Sequence, residues 1–138
     1  MHQHRKSRVR FRLGVILILG AVFISPALAE PTDLAKLAAN PLDYLDKEVE
    51  VTGHCLKNGA KGDVIGYECT TDGPVWVNAN SIEPDAVREK LDGECSGKDD
   101  ESCRVTIRFV PRSFSTSGFI EPGKTITIFN TGKAELSF

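Results

Sequence analysis

The sequence predicts a mainly β protein, a five-stranded barrel with a short helix at its start and a second helix between strands three and four. Two observations carry this prediction. Five short segments alternate apolar and polar residues, as half-buried strands do, and one stretch of helical periodicity separates the third segment from the fourth. Four cysteines flank two polar, turn-like stretches, as they would if disulfides held those stretches closed.

The first 29 residues predict a secretory signal peptide. "MHQHRKSRVRFR" carries five Lys or Arg and no acid, the uncharged "LGVILILGAVFI" follows, and "SPALA" places Ala27 and Ala29 in the small-residue cleavage pattern. The apolar run is shorter than the roughly 20 residues that a membrane-spanning helix needs. We therefore expect cleavage after Ala29, a periplasmic or secreted protein, and no stable membrane anchor afterwards. An uncleaved anchor is the alternative, because the basic flank would also orient a membrane helix.

Loss of the signal peptide leaves an acidic chain. The sequence has 17 basic and 19 acidic side chains, and five of the basic ones lie in residues 1–29, so residues 30–138 carry a net charge of −7. Proteins that bind nucleic acids need a cationic surface for the phosphate backbone. We therefore do not expect nucleic acid as a partner. The length allows a single domain, residues 30–138.

The predicted helices and strands follow in order. "PTDLAKLAAN" has Thr32 or Asp33 as a helix N-cap, apolar residues at helical spacing, and an end just before a proline. "SIEPDAVREKLDG" has Pro84 near a first helical turn and Gly93 as a stop. The predicted strands are residues 47–57, 63–70, 74–79, 104–110 and 124–130.

Three pairings are open to Cys55, Cys69, Cys95 and Cys103, and the sequence alone does not choose among them. The strand pattern favours one. Cys55 and Cys69 share the apolar faces of the first two strands, and the turn-forming "KNGAKGD" brings them opposite each other in a hairpin. The other two enclose "SGKDDES", which has no apolar residue to bury. Because there is no C-x-x-C motif, and His54 is the one histidine after residue 29, we expect no metal and no cofactor.

The order of strands and helix is that of the oligonucleotide/oligosaccharide-binding (OB) fold, in which strand one pairs with strand four. The outward residues of the first predicted strand are Glu48 and Glu50. Those of the fourth are Arg104 and Arg108, and opposite charges are what cross-strand pairing prefers.

The segment "LAANPLDYLDKEVEVTGHCL" is similar to the opening of exported tRNA-anti-like OB-fold domains of bacteria, in which a short helix, an Asn-Pro step and a Tyr precede a first strand ending in V-x-V-x-G. The resemblance covers about 25 residues and the later order of strands, and it implies a small exported OB-fold protein. The four cysteines and the insert "CSGKDDESC" depart from that pattern.

The candidate ligand-binding residues come from the places where an OB barrel binds: strands two and three, and the loops joining strands 1–2 and 4–5. The predicted 4–5 loop, "PRSFSTSGFIEPG", sets an arginine beside two phenylalanines, which together can stack on rings and hold anions. A tryptophan between two inward valines of strand three would face outward, and the 1–2 loop adds two lysines. The candidates are Arg112, Phe114, Phe119, Trp76, Lys57 and Lys61.

Each candidate also has a structural interpretation. Phe114 and Phe119 would close one end of the barrel, and Trp76 would lie beneath the N-terminal helix. The lysines of the 1–2 loop would belong to a solvated turn that deters edge pairing.

No catalytic motif is present: the sequence lacks G-x-S-x-G, H-E-x-x-H and a glycine-rich phosphate loop. We therefore predict a non-enzymatic binding module of the cell envelope, monomeric, that holds an envelope protein or a small anionic ligand. The alternatives are a nucleic-acid-binding OB domain outside the cytoplasm and a small hydrolase.

Overall fold

A computed structural model describes residues 31–58, 66–95 and 99–138. The predicted signal peptide, Lys61 and the turn around Gly62 lie outside the described residues, as does part of the polar insert between Cys95 and Cys103.

The protein is mainly β, with six strands and two α-helices in the described part of the chain. Short 3-10 turns follow the first helix (Pro41–Tyr44) and precede the fourth strand (Glu101–Cys103). The elements are α1 (Leu34–Ala39), β1 (Val49–Asn58), β2 (Gly66–Thr71), β3 (Val75–Glu83), α2 (Asp85–Glu94), β4 (Val105–Phe109), β5 (Ser113–Glu121) and β6 (Lys124–Ser137).

The six strands form one sheet in the order β3-β2-β1-β4-β6-β5, and β3 makes a further pairing with β6. The β3–β6 pairing is parallel, whereas neighbours in that order are antiparallel. Followed from strand to strand, the pairings run from β1 through β2, β3, β6 and β4 and return to β1. The predicted pairing of strands one and four is confirmed.

The prediction of five strands is not confirmed, because the segment predicted as the 4–5 loop contains β5. β4 pairs with the second half of β6 and β5 with its first half, so β5 continues the path of β4 beyond a break at residues 110–112. Pro111 explains the break, since it has no N–H for the ladder. Its carbonyl instead accepts a hydrogen bond from Asp46 N, at 2.9 Å.

Asp33 is the N-cap of α1, one of the two residues predicted for that position. Its Oδ1 accepts hydrogen bonds from the backbone N–H groups of Ala35 (2.9 Å) and Lys36 (3.2 Å). Leu37 then points into the core and is fully buried. α2 extends one residue past the predicted stop at Gly93, a difference within the usual uncertainty of helix ends.

Both favoured disulfides are present, Cys55–Cys69 and Cys95–Cys103. Cys55 lies directly opposite Cys69 in the β1–β2 register, and all four side chains are buried. The second bridge ties the end of α2 to the 3-10 turn before β4. Two disulfides are compatible with a location outside the cytoplasm.

The charged pairs on β1 and β4 follow the prediction at Arg108 and differ at Arg104. Arg108 lies opposite Glu50 and within 3.6 Å of three carboxylates, those of Glu48, Glu50 and Glu135. Arg104 pairs instead with Asp72, at 2.6 Å. The register of β1 and β4 explains this difference. Val105, the first residue of β4, lies opposite Gly53, so Arg104 is several residues away from Glu48 and Glu50 and lies near the turn that follows β2. Its hydrogen bond and positive charge hold the pKa of Asp72 below its usual value.

Candidate ligand-binding site

The outward face of β3 is polar and half-exposed. Val75, Val77 and Ala79 are buried, so the alternate residues of the strand face away from the core. The parallel register then places Asn78 beside Asn130 on β6. Ser113, the first residue of β5, lies on the other side of Asn130.

A cleft of about 420 Å³ lies across this face and extends to the ends of β1 and β2. We name it the asparagine cleft. No Asp or Glu is among its described lining residues; Glu68, opposite Asn78 on β2, is not part of the lining. The polar side chains of the cleft are Asn58, Tyr67, Asn78, Asn80, Arg112, Ser113, Asn130 and Thr131.

Most of the amides in the asparagine cleft are uncommitted. Asn130 Nδ2 donates to Ser113 Oγ at 3.2 Å. The side chains of Asn58, Asn78 and Asn80 have no hydrogen-bond partner within the described ranges. Each amide offers two donors and an acceptor, so the cleft presents both kinds of group to a ligand.

Arg112 is held at the rim of the cleft by its backbone, and its side chain is unpaired. Its N–H donates to the carbonyl of Asn130 at 2.9 Å. Its guanidinium lies over Gly132, where an added Cβ would be 3.5 Å from the Arg112 Cζ. Within the described residues the side chain makes no ion pair or hydrogen bond, whereas Arg88, Arg104 and Arg108 each pair with a carboxylate.

Tyr67 contributes its ring to the cleft, but its hydroxyl is engaged elsewhere. The Oη donates to the carboxylate of Asp92 on α2, at 3.1 and 3.2 Å from its two oxygens. Burial raises the pKa of Tyr67, and the hydrogen bond to Asp92 and the charge of that carboxylate raise it further. Tyr67 therefore stays neutral at physiological pH.

We expect this raised pKa to be measurable in a Tyr44→Phe variant, in which Tyr67 is the remaining tyrosine of the sequence. Absorbance at alkaline pH should show phenolate forming above the ordinary value of about 10. The neutral phenol of Tyr67 is favoured in the folded state. Its contribution to stability is therefore complete below the pKa of the unfolded chain, about 10, and is lost as the pH rises through the higher pKa of the folded state.

Adding Asp92→Asn should lower the midpoint of this titration, and adding Asp99→Asn, an exposed acid on the polar insert, should not move it. An unchanged midpoint in the Asp92 variant would show that the carboxylate does not act on the phenol.

The structure separates the three predicted residues of the 4–5 loop. Phe114 is half-buried against the core, with its ring 6.2 Å from that of Phe129, so it serves packing rather than a ligand surface. Phe119 is 98% exposed and lies on an irregular stretch of β5 between Ser117 and Glu121. Arg112 is about 20 Å from it along the strand. The structure does not bring these three residues together, because the segment is an extended strand and not a compact loop. Their role in ligand binding stays a prediction.

Trp76 faces outward on β3 and is half-buried. It lines a second depression, of about 590 Å³, together with residues of β2, the turn before β3, and the start of β6. α1 contacts the turn before β3, where the side chain of Leu34 is next to Gly73. The structural interpretation of Trp76, that it lies beneath the N-terminal helix, stays a prediction.

Lys57 is exposed near the end of β1, opposite Tyr67. It does not line the asparagine cleft, but the next residue, Asn58, does.

Asn78, Asn80 and Asn130 are not among the residues predicted from the sequence. A usable signal was present in "VWVNAN", where Asn78 and Asn80 take alternate positions of a strand. Asparagine is depleted in strands. Two asparagines on one face of a strand therefore indicate a surface that serves binding and not the stability of the strand.

Among residues 31–58, 66–95 and 99–138, no three His, Cys, Asp or Glu side chains are grouped to hold a metal ion. In the same residues no helix has the length and apolar character needed to cross a membrane.

No family model, curated protein or solved structure matches the chain. Fold and site thus define a small, disulfide-bonded, mainly β protein with a polar cleft whose described lining residues include no acid.

Proposed function

We propose that this protein is an exported, non-enzymatic binding module built on an OB-type barrel, and that the asparagine cleft holds an anionic group of its ligand. The observation that carries the proposal is the guanidinium of Arg112, which has no partner among the described residues, at the rim of a cleft that also holds the amides of Asn58, Asn78 and Asn80, likewise without a partner there.

The closed path of strand pairings supports the barrel. An OB barrel has five strands, with a helix between the third and the fourth. If β4 and β5 are counted as one strand bent at Pro111, the path through β1, β2, β3, β6 and β4 has that composition, and α2 lies in the required place. The signal-peptide pattern of residues 1–29 and the two disulfides support export to the periplasm or beyond.

The chemistry of the cleft favours a carboxylate or phosphate. A guanidinium binds such groups through two parallel hydrogen bonds. The chain after residue 29 carries a net charge of −7, and an anion in the cleft would meet no carboxylate among the described lining residues. The amides of Asn78 and Asn80 would then contact hydroxyl or carbonyl groups beside the charge.

The cleft has the size of a small-molecule site, which is typically about 300–1,000 Å³. The two occupants predicted from the sequence are a small anion and an envelope protein. Either could offer the cleft a carboxylate, since a protein carries one on its acidic side chains and at its C-terminus.

The test is a titration of the ¹⁵N-labelled protein, followed by NMR, with citrate, inorganic phosphate and glucuronate, and with glucose as the uncharged match of glucuronate. At least one of the anions should shift the amide resonances of residues 78–80 and 130–132, and glucose should bind more weakly than glucuronate. Arg112→Ala should weaken binding about 10- to 100-fold, the value of a charge-assisted hydrogen bond. Arg112→Lys should fall between, because it keeps the charge and loses the planar fork.

The matched control is Arg104→Ala, which removes the same charge at the far end of the β1–β2 hairpin. It should bind as the wild type does. Equal binding by the Arg112→Ala variant, or shifts confined to other residues, would contradict the proposal.

A further inference from the structure

β5 has an unpaired edge. The closed path gives β1, β2, β3, β4 and β6 neighbours on both sides, whereas β5 pairs with β6 alone in the described sheet. An unpaired edge offers a row of free N–H and C=O groups to another strand.

The regular stretch of this edge carries neither lysine nor proline, two of the usual protections. Proteins blunt their edges with lysine, proline, bulges or short strands. Residues 113–120 carry no charge and no proline. Pairing with β6 is regular from Ser113 to Ser117, and the irregularity in register comes only after that stretch. Five residues of regular, neutral strand are therefore available.

Exposed apolar side chains lie at both ends of this regular stretch. Phe119 (98% exposed) and Ile120 (37%) follow it, and Val110 (41%) precedes it. Apolar side chains at the two ends of an open edge are a feature of surfaces that associate.

We propose that the occupant of this edge is the β5 strand of a second copy of the chain, paired antiparallel about a two-fold axis at Ser115. The stretch "SFSTS" suits such pairing because its serines are placed symmetrically about position 115. Ser115 then pairs with Ser115 of the partner subunit, and Ser113 pairs with the partner's Ser117. On the other face Phe114 meets the partner's Thr116, an aromatic and β-branched pair that stabilises antiparallel strands.

The same axis brings the exposed apolar ends together. Phe119 and Ile120, which follow the regular stretch, then lie towards the end of the partner's β5 that Val110 precedes. The contact is isologous, so it closes as a dimer and does not propagate.

Charge also favours this surface for self-association. Copies with a net charge of −7 repel each other, and a neutral edge is where they can approach. The paired segment is short, about 17 Å, so the interface falls at the small end of specific interfaces and the dimer forms in a concentration-dependent way. This inference replaces the monomer expected from the sequence, and it does not depend on the ligand of the asparagine cleft.

The experiment is sedimentation equilibrium of the mature protein over about 5 to 500 µM, a range that detects micromolar dissociation constants. The wild type should pass from monomer towards dimer. Ser115→Lys and Ser115→Glu should each remain monomeric, because either places like charges opposite each other at the axis. An equimolar mixture of the two variants should dimerise, because lysine then faces glutamate.

Ala35→Lys, an exposed change on α1, is the control and should associate as the wild type does. Circular dichroism should show that all variants keep the fold, since Ser115 is exposed. A wild type that is monomeric throughout, a Ser115→Lys variant that dimerises equally well, or a mixture that stays monomeric would each overturn the proposal.

Discussion

Replacing Gly53 by alanine is expected to lower the free energy of unfolding by about 3 kcal/mol or more, the range of severe single substitutions. Gly53 is buried in β1, between Thr71 of β2 and Val105 of β4. A Cβ at this position would overlap the carbonyl oxygen of Thr70 and would be 2.9 Å from its carbon. Those atoms belong to the backbone of a paired strand, so relief requires the β1–β2 hairpin to separate locally.

Chemical denaturation of the oxidised protein, followed by circular dichroism, measures this loss. Gly93→Ala in α2 is the control, because nothing lies within 4 Å of a Cβ there and alanine favours a helix. That variant should be as stable as the wild type or slightly more stable. A Gly53→Ala variant of unchanged stability would mean that β1 and β2 do not approach as closely as described.

Phe129→Ala is expected to cost about 3–5 kcal/mol, as deletions of a buried phenylalanine do. Phe129 is fully buried in β6. Its ring centroid is 6.2 Å from those of Phe109 and Phe114, on either side. Removing the ring therefore leaves a cavity where β4, β5 and β6 meet.

Phe119→Ala is the matched control, since it deletes the same side chain from a position that is 98% exposed. At low protein concentration it should change stability by less than about 0.5 kcal/mol. If both variants lost equal stability, the hydrophobic core would not be centred on Phe129.

The sequence was most informative where structure depends on near neighbours. The hairpin of Cys55 and Cys69 followed from strand alternation and turn residues within one short segment, and its register is the observed one. The pairing of Arg108 with Glu48 and Glu50 followed from the charges on two strands once their order had been inferred.

β5 was missed because its sequence lacks the signal of a half-buried strand. It has serine or threonine at four of its first five positions, and its second aromatic, Phe119, lies where the register with β6 is irregular. A strand that buries little apolar surface shows little hydrophobic alternation. Its pairing with β6 is what makes it a strand, and no local pattern encodes that.

The asparagine cleft was missed for a related reason. Asn78 and Asn130 are neighbours only because β3 and β6 run parallel, a pairing between distant segments. Arg112 was identified from the sequence, but the asparagines of β3 and β6 that lie beside it in the cleft were not.

The parallel pairing of β3 and β6 also bears on how the chain folds. Val75 pairs with Thr127, 52 positions further on, and β6 is the strand that β3, β4 and β5 all contact. Contacts so distant in sequence make folding slow, on the order of milliseconds to seconds, because the entropy of a long loop is lost before the contact forms. The ring of strands has no closing partner until residues 124–137 are present. If the chain is exported as proposed, β1, β2 and β3 can pair as they emerge, but the sheet cannot close until β6 follows.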